Sequence, residues 1–247
     1  MSGHSKWKNI QHRKGRQDAK RSKDFTRAAR EIIIAAKSGG NPEYNARLRA
    51  AIALAKNVSL PKDRIESAIR KGTGEEAGGD FQEIVYEGYG PGGAAVLVEV
   101  TTDNRNRTVA EIRHLFTKNG GALGEVGCVG WMFEKKGVLT FSMDLHSEDA
   151  LMEIGLEAGA EDIVEGDGVL EVHCGPAAFD SLRQAFEDAG IACSEAEITM
   201  LPQTTLSVDA ETGRRLLRLV EALEDNEDVR NVYANFDIPD DVLAEME

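Results

Sequence analysis

Six basic residues near the start of the chain recur at intervals of three and four, which is the period of one helix face. They are Arg13, Arg16, Lys20, Lys23, Arg27 and Arg30. At about 100° per residue, these positions fall within one sector of roughly 100° on an α-helix. Like charges at this spacing destabilise an isolated helix, whereas a polyanion would stabilise it. This basic stripe therefore predicts contact with phosphate groups, although a solvated helix face remains the alternative.

The residues around the stripe add further positive charge and one aromatic ring. The additional candidates for phosphate contact are Lys6, Lys8, Lys14 and Arg21, with His12 assisting when it is protonated. Trp7 lies between two lysines, and its flat ring could stack on an unpaired base. It could equally anchor the N-terminal arm (residues 1–23) to a helical bundle. Both interpretations of Trp7 remain open.

The net charge of −14 conceals a strong segregation of charge along the chain. Residues 1–71 contain 18 Lys and Arg against 6 Asp and Glu, whereas the remainder contains 11 against 37. Such asymmetry indicates that the basic part binds a polyanion. The acidic remainder would repel phosphate and confine the contact to the N-terminal region. We therefore expect nucleic acid, either DNA or RNA, as the partner.

A second basic contact is predicted at Arg105 and Arg107, just ahead of a helix whose N-terminus would favour an anion. Alternatively, Asp103 or Asn104 simply caps that helix.

Other motifs give no indication of catalysis. The segment Gly88–Gly93 matches G-x-G-x-x-G, but a strand rather than a helix follows it, so a hairpin turn is the better interpretation. The chain has no nucleophile elbow, zinc-protease motif or Walker loop, and its three cysteines lack C-x-x-C spacing. The acidic tracts 224–228 and 237–241 lack calcium-loop spacing and are interpreted as solvated surface. We expect no enzymatic activity, no cofactor and no metal.

No apolar run approaches the length of a membrane span, and no secretory signal opens the chain. We therefore expect a cytoplasmic protein without membrane contact. No coiled-coil seam is evident, and we expect a monomer.

The sequence pattern of the N-terminal third predicts three helices. The apolar spacing predicts a first helix from about Asp24, or from Arg13 if the basic stripe belongs to it, ending at Ser38-Gly39-Gly40. A second opens at Asn41-Pro42 and buries Tyr44. A third follows Pro61 and stops at Gly72, where a Gly-rich linker begins.

The remainder alternates strands and helices. A hairpin around Gly90–Gly93, a helix and a strand near residues 128–133 form one incomplete unit. Residues 137–201 follow a βαββαβ order that resembles a ferredoxin-like module. A final strand, helix and strand would complete the first unit. The predicted fold class is α+β, with a three-helix bundle and two α+β domains, the third inserted into the second. The predicted domains are 1–80, 81–134 with 204–247, and 135–203.

Four segments of the chain are typical of one known family. They are the opening Gly3-His4-Ser5-Lys6-Trp7, Tyr86-Glu87-Gly88-Tyr89-Gly90-Pro91-Gly92-Gly93, Thr102-Asp103-Asn104-Arg105-Asn106-Arg107-Thr108 and Trp131-Met132-Phe133. Through these segments the chain resembles, along nearly its whole length, the YebC-type family of transcriptional regulatory proteins. The resemblance implies a helical domain and two α+β domains, as the pattern of elements also does. It further implies a DNA-binding regulator of transcription or, by similarity to mitochondrial translational activators, a translation factor that binds ribosomal RNA on the ribosome.

Overall fold

The computed structural model describes residues 17–78, 80–166 and 168–238, with the side chains of residues 17–22 outside the description. These residues form two compact units. One contains the described residues up to Cys128 together with Arg214–Val232, and the other contains Val129–Gly213 and the described residues from Tyr233.

Three helices form a bundle in the first unit: α1 (Gln17–Ala36), α2 (Ala46–Asn57) and α3 (Lys62–Thr73). The apolar residues that recur at three and four in the sequence lie on the inner faces of these helices, as amphipathic spacing requires. Their core includes Ile32, Ile33, Leu48, Ala51, Ala55 and Ile65. The predicted helical bundle is confirmed.

The ends of the second and third helices differ from the prediction. Asn45, not Asn41, caps α2 by accepting a hydrogen bond from the backbone N–H of Leu48. Tyr44 therefore lies outside the helix and is 88% exposed, so its predicted burial is wrong. Gly72 does not stop α3, which continues to Thr73 and ends at Gly74 with a left-handed φ of 84°.

Beyond the bundle, the first unit contains β1 (Gln82–Tyr89), β2 (Ala95–Thr102), α4 (Arg105–Lys118), β3 (Ala122–Leu123) and most of α7 (Ala210–Glu224) and of β9 (Val229–Ala234). The four strands form a sheet in the order β3-β1-β2-β9. The short 3-10 turn Pro91–Gly93 joins β1 to β2 as an antiparallel pair, which confirms the hairpin interpretation of the Gly-rich motif. A Cβ on Gly90 would lie 2.6 Å from Cδ2 of Leu216, so a larger residue there would force this buried leucine to shift.

The second unit contains β4 (Phe133–Ser142), α5 (Glu148–Ala158), β5 (Ala160–Gly166), β6 (Val169–Cys174), α6 (Phe179–Asp188) and β7 (Glu195–Pro202). The four strands form a sheet in the order β5-β6-β4-β7, and every neighbouring pair is antiparallel. This order is that of the predicted ferredoxin-like module. Two short strands, β8 (Leu206–Ser207) and β10 (Phe236–Asp237), pair in parallel.

The prediction of a strand near residues 128–133 is wrong. Residues Gly130–Met132 form a 3-10 turn, and the Trp131 side chain is 70% exposed. The edge strand of the first sheet is instead the two-residue β3, which is too short to produce an alternating pattern. The predicted fold class is confirmed, because a helical N-terminal region precedes two α+β domains. The domain boundaries at residues 80/81, 134/135 and 203/204 stay a prediction.

Candidate nucleic-acid interface

Helix α1 carries the candidate interface, and its packing determines which residues remain outside the core. Ile32 is fully buried, and Phe25, Ala28 and Ala29 pack against the bundle core. Helix α3 approaches α1 closely at Gly72, where a Cβ would lie 2.4 Å from the carbonyl oxygen of Ile33. This packing fixes the rotation of α1 about its axis.

Lys23, Arg27 and Arg30 form what we call the basic face, and all three contact one region of the same unit. That region is the acidic segment, Glu224–Asp228, which begins at the last residue of α7. Lys23 Nζ lies 2.7 Å from Asp225 Oδ1. Arg27 donates to the carbonyl oxygen of Glu224, and Arg30 donates to that of Glu227.

The carboxylate of Asp228 is the most enclosed acceptor of the acidic segment. Its side chain is only 4% exposed, and it pairs with Arg30 at 3.1 Å and with Arg107 at 2.7 Å. The hydroxyls of Thr102 and Thr108 also donate to it, at 3.2 and 2.6 Å. Burial alone would raise the pKa of Asp228, but the hydrogen bonds from Arg107 and Thr108 hold that pKa below its ordinary value.

A second ion-pair network holds the bundle to the sheet of the first unit. Arg47 of α2 pairs with Glu31 of α1 at 2.9 Å and with Glu83 of β1 at 2.6 Å. Arg230 of β9 contacts the same two glutamates at 3.2 and 3.0 Å, and also Glu99 of β2 at 3.0 Å. The hydrogen bond from Arg47 lowers the pKa of Glu83 against the opposing effect of burial. The neighbours Arg30 and Glu31 thus connect α1 to two separate networks.

The structure describes only part of the predicted set of site residues. Seven of the predicted site residues lie outside the described residues: Lys6, Trp7, Lys8, His12, Arg13, Lys14 and Arg16. The backbone of Lys20 and Arg21 lies in α1, and only Lys23, Arg27 and Arg30 have described side chains. The positions of these last three side chains agree with one helix face, as their spacing predicts.

The second predicted basic contact has a mixed environment. Asn104 caps α4 by accepting a hydrogen bond from the Arg107 backbone, which settles the alternative between Asp103 and Asn104. The Arg107 guanidinium faces Asp228 and Asp103, whereas Arg105 is exposed at the start of the helix. A role of Arg105 and Arg107 in phosphate contact stays a prediction.

The importance of the acidic segment was not evident from the sequence. The interpretation of residues 224–228 as solvated surface is wrong for Asp228, because two arginines and two threonines enclose its carboxylate. The sequence feature that could have indicated this contact is charge complementarity, because the chain contains both an acidic run and a basic stripe. Asp240 and Asp241 of the other acidic tract lie outside the described residues.

Within the described ranges, no group of three or more His, Cys, Asp or Glu side chains is arranged to hold a metal ion. The helices of that same part of the chain are all too short or too polar to cross a membrane.

These features define an α+β protein in which a basic helix is tied to a sheet by ion pairs. The chain belongs to the TACO1/YebC family. The family model for the N-terminal domain matches residues 5–75, and the model for the second and third domains matches residues 81–236.

Full-length relatives and one solved structure agree with this assignment. The chain is 57% identical to a probable transcriptional regulatory protein of Maridesulfovibrio salexigens, over the whole of both chains. It is 54% identical to a protein of the same description from Geobacter sulfurreducens, again over both whole chains. The crystal structure of a conserved hypothetical protein from Aquifex aeolicus has a TM-score of 0.78 at 46% identity, covering 90% of this chain and 93% of that one.

Proposed function

We propose that this protein binds the phosphate backbone of DNA with its basic N-terminal region and regulates transcription without catalysing a reaction. The observation that carries the proposal is the basic stripe, whose members from Lys20 to Arg30 lie on α1, a helix whose orientation is fixed by close packing and two ion-pair networks. The curated relatives described as probable transcriptional regulatory proteins support the regulatory part.

The spacing of the basic stripe suits contact with the phosphate backbone of DNA better than recognition of base edges. Cations at intervals of three and four on one helix face can follow a row of phosphates, which position a protein without specifying a sequence. The segregation of charge supports the same conclusion, because residues 1–71 carry 18 basic against 6 acidic side chains. Sequence selectivity would then depend on DNA shape or on a partner protein.

Charge reversal in the basic stripe tests the proposal. A labelled DNA duplex that the wild-type chain binds at low salt should bind far more weakly, or not measurably, to the triple variant Arg16→Glu, Lys20→Glu, Lys23→Glu. The matched control reverses three exposed cations outside the N-terminal region, Lys135, Arg183 and Arg218, and should leave most of the affinity intact.

Two results would contradict the proposal. Duplex binding that persists unchanged in the stripe variant would show that other residues make the contact. Tight binding to ribosomal particles, combined with weak and sequence-blind binding to the duplex, would favour the translational alternative.

A further inference from the structure

The three contacts of the basic face become more exposed toward the N-terminus of α1. Arg30 is the innermost member, with a side chain 14% exposed and a partner, Asp228, 4% exposed. Arg27 is partly buried and donates to a backbone carbonyl. Lys23 is the outermost described member, 30% exposed, and its partner Asp225 is 67% exposed.

The acceptors that meet these cations have the chemistry of a phosphate backbone. Asp225 and Asp228 offer carboxylate oxygens, and Glu224 and Glu227 offer carbonyl oxygens. Carbonyl groups at the C-terminal end of a helix such as α7 also carry partial negative charge. Phosphate oxygens accept the same charge-assisted hydrogen bonds from lysine and arginine.

We propose that Asp225 of the acidic segment is an intramolecular competitor for Lys23, and that nucleic-acid phosphate displaces this carboxylate from Lys23 on binding. The inference rests on the proposed function, and it adds a residue that sets the threshold for binding. A polyanion must replace an existing partner at Lys23, so weak and transient phosphate contacts are disfavoured.

Phosphate replaces the carboxylate partner of Lys23 and not that of Arg30, because the free-energy cost of breaking the ion pair differs between the two positions. Removing Arg30 from Asp228 would leave a buried carboxylate with one cation fewer, which is strongly unfavourable. The exposed pair of Lys23 and Asp225 contributes little on its own, and water can solvate Asp225 after the exchange. Arg30 therefore holds the helix in place while Lys23 remains available.

The substitution Asp225→Asn tests the competitor directly, because it removes the charge while preserving the shape of an exposed side chain. We expect this variant to bind a labelled DNA duplex about two- to fivefold more tightly than the wild type, as the loss of one exposed ion pair allows. In a Lys23→Gln background, the same substitution should have no effect on duplex affinity.

The matched control is Glu43→Gln, which makes the same change in net charge at an exposed position of the same unit. An equal gain in affinity from Glu43→Gln would attribute the effect to overall charge and overturn the inference. Wild-type affinity in Asp225→Asn, with salt-sensitive duplex binding intact, would overturn the inference and leave the proposed function standing. Absence of duplex binding by the wild type and every variant would overturn both.

Discussion

Asp228 shows how strongly one residue can depend on its surroundings. An aspartate in an acidic run is usually solvated, yet this one is buried and accepts from Arg107, Thr102 and Thr108 while pairing with Arg30. Nothing in the local sequence distinguishes it from Asp225, three residues earlier. Its partners lie 120 or more positions away in the chain, so only the fold brings them together.

We expect Asp228→Asn to lower the free energy of unfolding by about 2–4 kcal/mol at neutral pH, because two arginines lose a buried anion. The folded-state pKa of Asp228 lies below its unfolded value. The contribution of the ionised Asp228 to the free energy of unfolding is therefore complete above about pH 4, and it is lost as the pH falls through the folded-state pKa.

Urea denaturation of the wild type and the variant at several pH values would measure this. The control Asp225→Asn removes an exposed charge and should cost less than about 1 kcal/mol. A difference between wild type and Asp228→Asn that does not shrink in acid would contradict the assignment.

Arg105 and Arg107 are two residues apart but occupy different environments. Arg107→Gln should lower the free energy of unfolding by about 1–2 kcal/mol, because it removes a partner of the buried Asp228. Arg105→Gln, at an exposed position, should change it by less than about 0.5 kcal/mol. Chemical denaturation of both variants checks this, and equal losses would show that the contact with Asp228 contributes little.

At the scale of elements, the sequence predicted the helices well where apolar periodicity was strong. Helix α1 was evident from Phe25, Ile32 and Ile33, because burial of one face requires that spacing. The start of α2 was misplaced because the side chain of Asn45 also donates to the carbonyl oxygens of Ala35 and Gly39. That tertiary contact favours Asn45 as the cap over the predicted Asn41.

Gly72 is not the predicted helix stop, and its lack of a side chain permits α1 and α3 to approach closely. A Cβ at this position would lie 2.6 Å from Cβ of Ala36 and closer still to a backbone oxygen. Gly72→Ala should therefore destabilise the protein by about 1–3 kcal/mol, although alanine favours helix by about 1 kcal/mol.

Thermal or urea unfolding of Gly72→Ala measures this balance. Arg64→Ala, at an exposed position in the same helix, is the control for helix propensity and should be nearly neutral. A stabilised Gly72→Ala variant would show that the two helices can separate without cost.

At the scale of the whole molecule, charge segregation predicted the candidate interface but not its internal partner. Counting residues reveals a basic N-terminal region and an acidic remainder. It does not reveal that residues 224–228 contact α1, because that depends on Arg214–Val232 belonging to the same unit as the bundle. Lys23 and Asp225 are 202 positions apart in sequence, and the ferredoxin-like sheet is one of the segments that lie between them in the chain.

The most direct test of phosphate contact by the basic N-terminal region is the salt dependence of DNA affinity. Each phosphate contact with a duplex adds about −0.9 to the slope of log K against log salt concentration. Titrations of a labelled duplex at several salt concentrations should give a strongly negative slope for the wild type. The variant Arg16→Glu, Lys20→Glu, Lys23→Glu should have a slope less negative by about 2–3, or no measurable binding. Identical slopes for the wild type and this variant would contradict the account.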